Sequence, residues 1–382
     1  MAGTFEPIAL GEPRSADVAA IERDLAALWK SMAGADSRQG GVTRACALTL
    51  LVYVESEEAG QEVTNLIGGI IAQNPCRVVV MVVQPDAPSS ELTAWISAHC
   101  YLPKAGEEQV CCEQIGLLAR GTSVRDLDNV VVPLTVPGLP VVLWWRAGRF
   151  APPDYFRDIL RVTDHLLVDS ARFSDPAKDL GKLAAELKRL SAVVPVSDLN
   201  WIRMTPWRGL VAQCFDPAET SEYLEQLTQV RVEYEEESPR WSAQSAQALL
   251  LIGWLASRLG WEPDSPVGTA AGQGSSISFR SRRGKVEVRR VPKQFEGGGA
   301  GVCFSITMTA EGASPAVFTL RRGPDGKYAV VRRELPGRPA VEGTARLEVF
   351  DEVELVNEGI KSAGRDVIFE EALEIVTRIV RG

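Results

Sequence analysis

Residues 45–83 read ACALTLLVYVESEEAGQEVTNLIGGIIAQNPCRVVVMVV. Two continuous apolar, β-branched runs, 45–54 and 77–83, flank a segment, 57–72, with helical spacing. Runs of that length without polar alternation fit strands covered on both faces. A strand, a helix and a second strand in this order predict parallel pairing through a right-handed crossover. Upstream, Val18, Ile21, Leu25, Leu28 and Met32 recur at a 3,4,3,4 spacing, which predicts a helix with Ser15 as a possible N-cap. Downstream, 91–101 and 109–118 read as a hairpin extending the sheet, and 123–134 as helical. Buried strands at 140–145 and 165–169 follow, with a helix entered through Pro152 and Pro153 between them. Asp175 before Pro176 then starts a helix whose buried stripe is Leu180, Leu183, Leu187 and Leu190. This alternation indicates an α/β, Rossmann-like domain with some antiparallel pairing.

The remainder reads differently. A long helix over 241–259 precedes strands at 276–291, 301–310, 316–321 and 328–333, with turns at Arg283-Gly284 and Asp325-Gly326, and a helix over 367–380 closes the chain. That is an α+β domain with an antiparallel sheet. The predicted division is 1–195 and 196–382, with the tryptophan-rich segment 197–208 at the junction. A length of 382 residues agrees with two domains, and 45% apolar with 24% charged residues excludes a disordered or small disulfide-scaffold chain.

A net charge of −9 disfavours nucleic acid and anionic lipid as general partners. The most apolar stretch, 248–256, is far short of a bilayer span, so no membrane partner is expected. Residues 1–9 carry neither a basic cluster nor an apolar run, which points to the cytoplasm. Seven cysteines, an odd number, read as packed thiols whose reduction leaves the fold intact.

Known chemistries fail one by one. A dinucleotide site needs Gly-x-Gly-x-x-Gly after the first strand, and none is present: Gly68-Gly69 falls inside the predicted helix, and Gly272-Gln273-Gly274 is followed by Ile277 where the third glycine belongs. The segment 323–327 is no phosphate-binding P-loop. Only His99 and His165 are available for imidazole chemistry, and no His-Glu-x-x-His or Gly-x-Ser-x-Gly occurs. His99, Cys100, Cys111 and Cys112 would cluster if the hairpin pairs across 102–108, but without Cys-x-x-Cys they read as buried thiols beside a hydrogen-bonded strand histidine. Neither cofactor nor metal is expected. The basic run Arg280, Arg282, Arg283, Lys285, Arg289, Arg290 and Lys293 alternates with Val286 and Val288 as on a solvated face, and Glu233, Glu235, Glu236 and Glu237 read as a solvated turn.

The segment SDLNWIRMTPWR, 197–208, resists a bland reading. Asp198, Asn200, Trp201, Arg203, Trp207 and Arg208 suggest either a recognition surface or an interdomain core in which Arg203 or Arg208 pairs with Asp198. Trp144, Trp145 and Arg146 raise the same question at the carboxyl end of a strand, where open α/β sheets bind ligands. Taken as partner-binding candidates, these nine residues carry the functional expectation.

PGLPVVLWW at 137–145, Asp169-Ser170, Asp-Leu-Asn-Trp at 198–201, Thr-Pro-Trp-Arg at 205–208 and Thr43-Arg44-Ala45 together resemble the glucose-6-phosphate dehydrogenase assembly protein family, OpcA. The resemblance is strongest over 40–215. It implies a non-catalytic partner that promotes assembly of glucose-6-phosphate dehydrogenase and activates it allosterically, in the oxidative pentose phosphate pathway of carbohydrate metabolism. It supplies no catalytic residue to carry over. The competing reading is a sugar-phosphate-binding enzyme with its site near Trp144 and Arg146, using Arg203 or Arg208 as a phosphate clamp.

Overall fold

The computed structural model describes residues 8–35, 42–101, 109–190, 194–235, 245–264, 276–294, 302–311, 315–362 and 364–380. Its strands are β1 (Ile8–Ser15), β2 (Val42–Arg44), β3 (Leu48–Val54), β4 (Cys76–Gln84), β5 (Glu91–Tyr101), β6 (Gln109–Arg120), β7 (Val141–Trp145), β8 (His165–Val168), β9 (Val196–Asp198), β10 (Leu227–Glu235), β11 (Glu262–Pro263), β12 (Ser276–Ser281), β13 (Gly284–Lys293), β14 (Cys303–Ala310), β15 (Ala316–Arg322), β16 (Tyr328–Glu334) and β17 (Val341–Arg346). The helices are α1 (Val18–Ala35), α2 (Glu57–Ile71), α3 (Leu127–Leu134), α4 (Arg157–Val162), α5 (Pro176–Leu190), α6 (Leu199–Arg203), α7 (Thr205–Gln213), α8 (Ala218–Ser221), α9 (Ala246–Leu259), α10 (Glu352–Lys361) and α11 (Val367–Val380).

The first sheet runs β1-β5-β6-β4-β3-β7-β8-β9, with β2 also on β6. From β6 to β9 all neighbours pair in parallel, as the crossover argument requires, while β5 is antiparallel to both β6 and β1. This is the α/β, Rossmann-like architecture predicted. Side chains of β3 and β4 alternate between two apolar layers. Leu50, Val52, Val78 and Val80 pack under α2 and α10, and Leu51, Val79 and Met81 pack against α1 and α3. The second layer continues without a break through α9 to Val232, Phe279, Ile306 and Phe318 of the other sheet.

The second sheet runs β11-β12-β13-β10-β14-β15-β16-β17 and is antiparallel except where β10 pairs in parallel with β13. That exception departs from the purely antiparallel expectation. Glu233 lies inside β10, ion-paired to Arg231 and Lys293, so the solvated-turn reading fails there; Glu236 and Glu237 lie outside the described residues. The acids on this strand's open face hid its buried alternation of Val230, Val232 and Tyr234.

Two further starts are corrected. Ser15 belongs to β1, and Asp17 caps α1 by accepting from the Ala19 amide at 3.2 Å. Helix α9 begins at Ala246 behind a Ser245 cap, and the predicted 241–244 turn lies outside the described residues. Gly69 has a packing reason inside α2: a Cβ there would come within 2.7 Å of Val353, so its absence lets α10 lie close. Gly253 does the same for α9, where a Cβ would stand 2.3 Å from the Ala372 carbonyl oxygen of α11. The last two helices thus return to earlier parts of the chain, α10 to the first sheet and α11 to α5 and α9.

The hairpin places His99 opposite Cys112 and Cys100 opposite Cys111, the cluster anticipated. The thiol expectation fails for one pair, because Cys100 and Cys111 form a disulfide. Direct cross-strand opposition brought together two side chains that spacing alone left apart. Cys46, Cys76, Cys112, Cys214 and Cys303 remain thiols, and burial raises Cys112 to about 11.

Candidate functional site

Strands β7, β8 and β9 end side by side, and their carboxyl ends deliver Arg146, Asp169 and Asp198 to one seam between the sheets. Asp198 is fully buried and accepts from the Ser170 amide (2.9 Å), the Ser170 hydroxyl (2.6 Å) and the Asn200 amide (3.0 Å). Burial, reinforced by the nearby Asp169 charge, raises its carboxyl to about 6 despite those donors. The Asn200 amide nitrogen donates to Ser170 Oγ, and Asn200 Oδ1 accepts from Arg203 and from Gln247 of α9, each at 3.0 Å. Gln247 Oε1 in turn accepts from the Cys303 amide on β14 at 3.0 Å. A chain of buried hydrogen bonds therefore runs from the first sheet to the second.

Arg203 does not pair with Asp198, and neither does Arg208. The Arg203 guanidinium grips both oxygens of Asp169 at 3.2 and 3.1 Å. Arg208 lies over the Trp201 ring, 3.4 Å from its centroid, and donates to Thr205 Oγ1. Burial lowers Arg208 to about 10. The Trp201 indole donates to Asp366 Oδ2 at 2.8 Å, and Asp366 Oδ1 caps α11 through the Phe369 amide. Trp207 is buried beneath the guanidinium of Arg322.

Arg146 is 96% buried at its side chain, beside Trp144, and is spent on carboxylates: Glu352 of α10 at 2.8 Å and Glu62 of α2 at 2.7 Å. Arg172 also holds Glu352, at 2.9 Å, and reaches Asp169 at 3.9 Å. Burial opposes ionisation of Glu352, but the two guanidiniums prevail and hold it below the ordinary carboxylate range. Trp145 points to the opposite face, stacked on Tyr53 with centroids 3.9 Å apart. Arg146, Asp198, Asn200 and Arg203 are therefore linked in one polar seam through Asp169, Arg172 and Glu352, with Trp201 and Arg208 stacked beside it. Trp144 and Trp207 pack in separate apolar layers with indole nitrogens that have no partner among the described residues, and Trp145 lies outside the seam. The nine predicted residues are core, or half-buried in the case of Arg203 and Arg208. The seam's remaining members, Arg172, Gln247, Glu352 and Asp366, were missed. Gln247 alone left a signal, as an amide at the head of the apolar run that makes up most of α9.

The histidines are quiet. His99 shares a 2.6 Å hydrogen bond with Gln114, and His165 a 3.0 Å one with Ser197; burial pushes His165 down to about 4. Among the described residues no three His, Cys, Asp or Glu side chains stand together as a metal site, and no helix is long and apolar enough to cross a membrane. The basic hairpin has the predicted alternation through Arg289, with Val286 and Val288 buried, Arg280 on Asp264, Arg283 on Glu225 and Arg289 on Glu287, but Arg290 is itself buried, so the solvated-face reading fails at that residue. At the start of α2, where a dinucleotide fold cradles pyrophosphate on backbone amides, Ser56 caps the helix and Glu57 and Glu58 occupy the first turn.

Two domain families match the chain: the glucose-6-phosphate dehydrogenase subunit N-terminal domain over residues 69–185 and the corresponding C-terminal domain over 194–373, both carrying the OpcA designation. Curated relatives include OpcA proteins named for the OxPP cycle. One, from Synechocystis, is 29% identical over 82% of this chain and 65% of its own length, and one from Nostoc punctiforme is 28% identical over 82% and 66%. The chain thus spans about two thirds of those relatives. Among solved structures, myo-inositol 2-dehydrogenase from Lactobacillus plantarum aligns over 86% of this chain and 94% of its own, with 8% identity and a TM-score of 0.43, too loose a likeness to carry an argument.

Proposed function

Because the chain belongs to the OpcA family of glucose-6-phosphate dehydrogenase assembly proteins, we propose that it is a non-catalytic partner of that dehydrogenase, assembling it and activating it allosterically in the cytoplasm. The observation that carries the non-catalytic part is the acidic first turn of α2. Glu57 and Glu58 put negative charge where phosphate would need amide donors, and Arg120, the nearby cation, is held by Glu57 and Glu91. The sugar-phosphate enzyme reading has less support, since Arg146, Arg203 and Arg208, its proposed anion contacts, are already engaged.

An activator must bind the active arrangement of its enzyme more tightly than the inactive one, otherwise it shifts no equilibrium. On this reading the seam serves recognition indirectly. Trp144, Arg146, Asp198, Asn200, Trp201, Arg203, Trp207 and Arg208 hold the two sheets at the angle that contact requires. A rigid seam favours affinity, because little motion is then frozen out on binding.

The test titrates the purified chain into the cognate dehydrogenase while following initial rate and oligomeric state. Saturable activation with a change in assembly is expected. An unchanged rate, KM and oligomeric state in stoichiometric excess would refute the proposal, as would glucose 6-phosphate oxidation by the chain alone.

A further inference from the structure

A cavity of about 480 Å³ opens at the carboxyl ends of β3, β4 and β7, on the side of the first sheet away from α10. In the strand order β4-β3-β7, the chain leaves β3 through α2 on one face to reach β4, and it enters β7, on the other side of β3, from β6 through α3 on the opposite face. Open α/β sheets bind ligands at such a switch point. The seam lies elsewhere: Arg146 turns toward Glu62 and Glu352, while Trp145, its neighbour on β7, faces the cavity.

The cavity wall holds polar groups whose bonding capacity is unspent. Tyr53 is 94% buried, and its hydroxyl has no hydrogen-bond partner among the described residues. Its ring is fixed by stacking on Trp145 and by the edge of Phe156 at 5.5 Å, so the oxygen is aimed and not free to wander. Arg149 forms no ion pair among the described residues although Glu55 and Asp86 line the same cavity, in a protein whose exposed arginines are elsewhere mostly paired. The Trp145 indole donates to the Arg149 carbonyl at 2.8 Å, which pins the loop carrying that guanidinium. Tyr155 supplies a second phenol beside Asp86. Burial together with the Glu55 charge raises Tyr53 above the ordinary phenol range, so its hydroxyl stays a neutral donor and acceptor.

Two carboxylates against one guanidinium leave the wall negative, which disfavours phosphate and carboxylate ligands. Acceptors, a planar donor and two phenols around a space of this size suit a ligand that donates and accepts around its whole rim. We propose that this cavity is a binding site for a small uncharged polyhydroxylated molecule, a free sugar or polyol, held by Tyr53, Glu55, Asp86, Arg149 and Tyr155. The proposal does not rest on the proposed function.

Calorimetric titration of the full chain tests this with D-glucose, sorbitol, glucose 6-phosphate, inorganic phosphate and tetramethylammonium as probes. One of the two neutral probes should saturate with a Kd of about 1 mM or below, and the charged probes should bind at least about tenfold more weakly. Tyr53→Phe, which removes only the cavity-facing oxygen, and Asp86→Asn should each weaken the neutral probe about fivefold or more while melting like wild type. The proposal is overturned if neither neutral probe saturates, if a charged probe binds more tightly in a Tyr53-dependent way, or if neutral binding is unchanged in both variants.

Discussion

Replacing Glu352 by Gln and, separately, Glu62 by Gln asks what Arg146 does in the seam. Both carboxylates bond the same guanidinium at nearly equal distance, 2.8 and 2.7 Å, so contact length predicts equal costs. Burial predicts otherwise. Glu62 is 62% exposed at its side chain, Glu352 only 24%, and Arg146 4%. An exposed partner is screened by water, and its loss should cost about 0.5 kcal/mol. Loss of the buried partner leaves a desolvated guanidinium poorly compensated, which costs about 3 kcal/mol, the lower end for a broken buried pair because Glu62 remains. The gap of about 2.5 kcal/mol is a factor of roughly 70 in the unfolding equilibrium. If the orphaned charge is the cause, adding Arg146→Met to Glu352→Gln should recover about 1 kcal/mol or more relative to additivity. Urea midpoints at constant slope measure the totals, and amide exchange over 352–361 localises the loss to α10. Equal costs for the two glutamates, or strict additivity in the double variant, would refute this account.

Trp207→Ala should cost about 3–5 kcal/mol and melt early, as a core truncation does, and a variant that keeps wild-type melting but loses activation would instead make this segment a recognition surface. Asp198 and His165 act oppositely with pH. The raised Asp198 carboxyl, about 6 folded, means that folding binds a proton, so this residue's contribution falls as pH rises from about 4 to 6. The lowered His165, about 4 folded, means that the unfolded chain binds a proton first, so its contribution is lost as pH falls from about 6.5 toward 4. Asp198→Asn removes the compensating term, and its urea midpoint should fall more steeply on acidification across pH 6 to 4 than that of wild type. Cys100→Ser, or added reductant, should lower stability by up to about 3 kcal/mol through loss of the short crosslinked loop, against an expected shift near zero if all seven cysteines were thiols.

Local pattern was enough wherever burial imposes a period on adjacent residues. The parallel core of β3, β4 and β7 was legible as continuous apolar runs buried on both faces, the β5–β6 hairpin as two strand-like segments around a short loop, and helices α2, α5 and α11 from apolar residues at helical spacing. β10 was not, because one face of that strand meets solvent and carries Arg231, Glu233 and Glu235, so charge masked the alternation. α10 was hidden for a related reason: its capping-box acids and exposed face dominate a short segment whose apolar residues meet α2 only through the chain's return.

Composition also marked the segment 197–208 and the strand end at 144–146 as unusual, since two tryptophans and an arginine or more in so few residues are rarely neutral. Composition could not say whether those side chains face a partner or one another. That depended on residues far along the chain: Glu352 reaching Arg146, Gln247 reaching Asn200 and Asp366 reaching Trp201. The disulfide and the strand-end cavity arise in the same way, from strand register and from sheet order. A residue's type and near neighbours follow from the sequence directly, whereas the partner of a buried charge is set by how distant elements pack, and one sequence read alone carries no record of that packing.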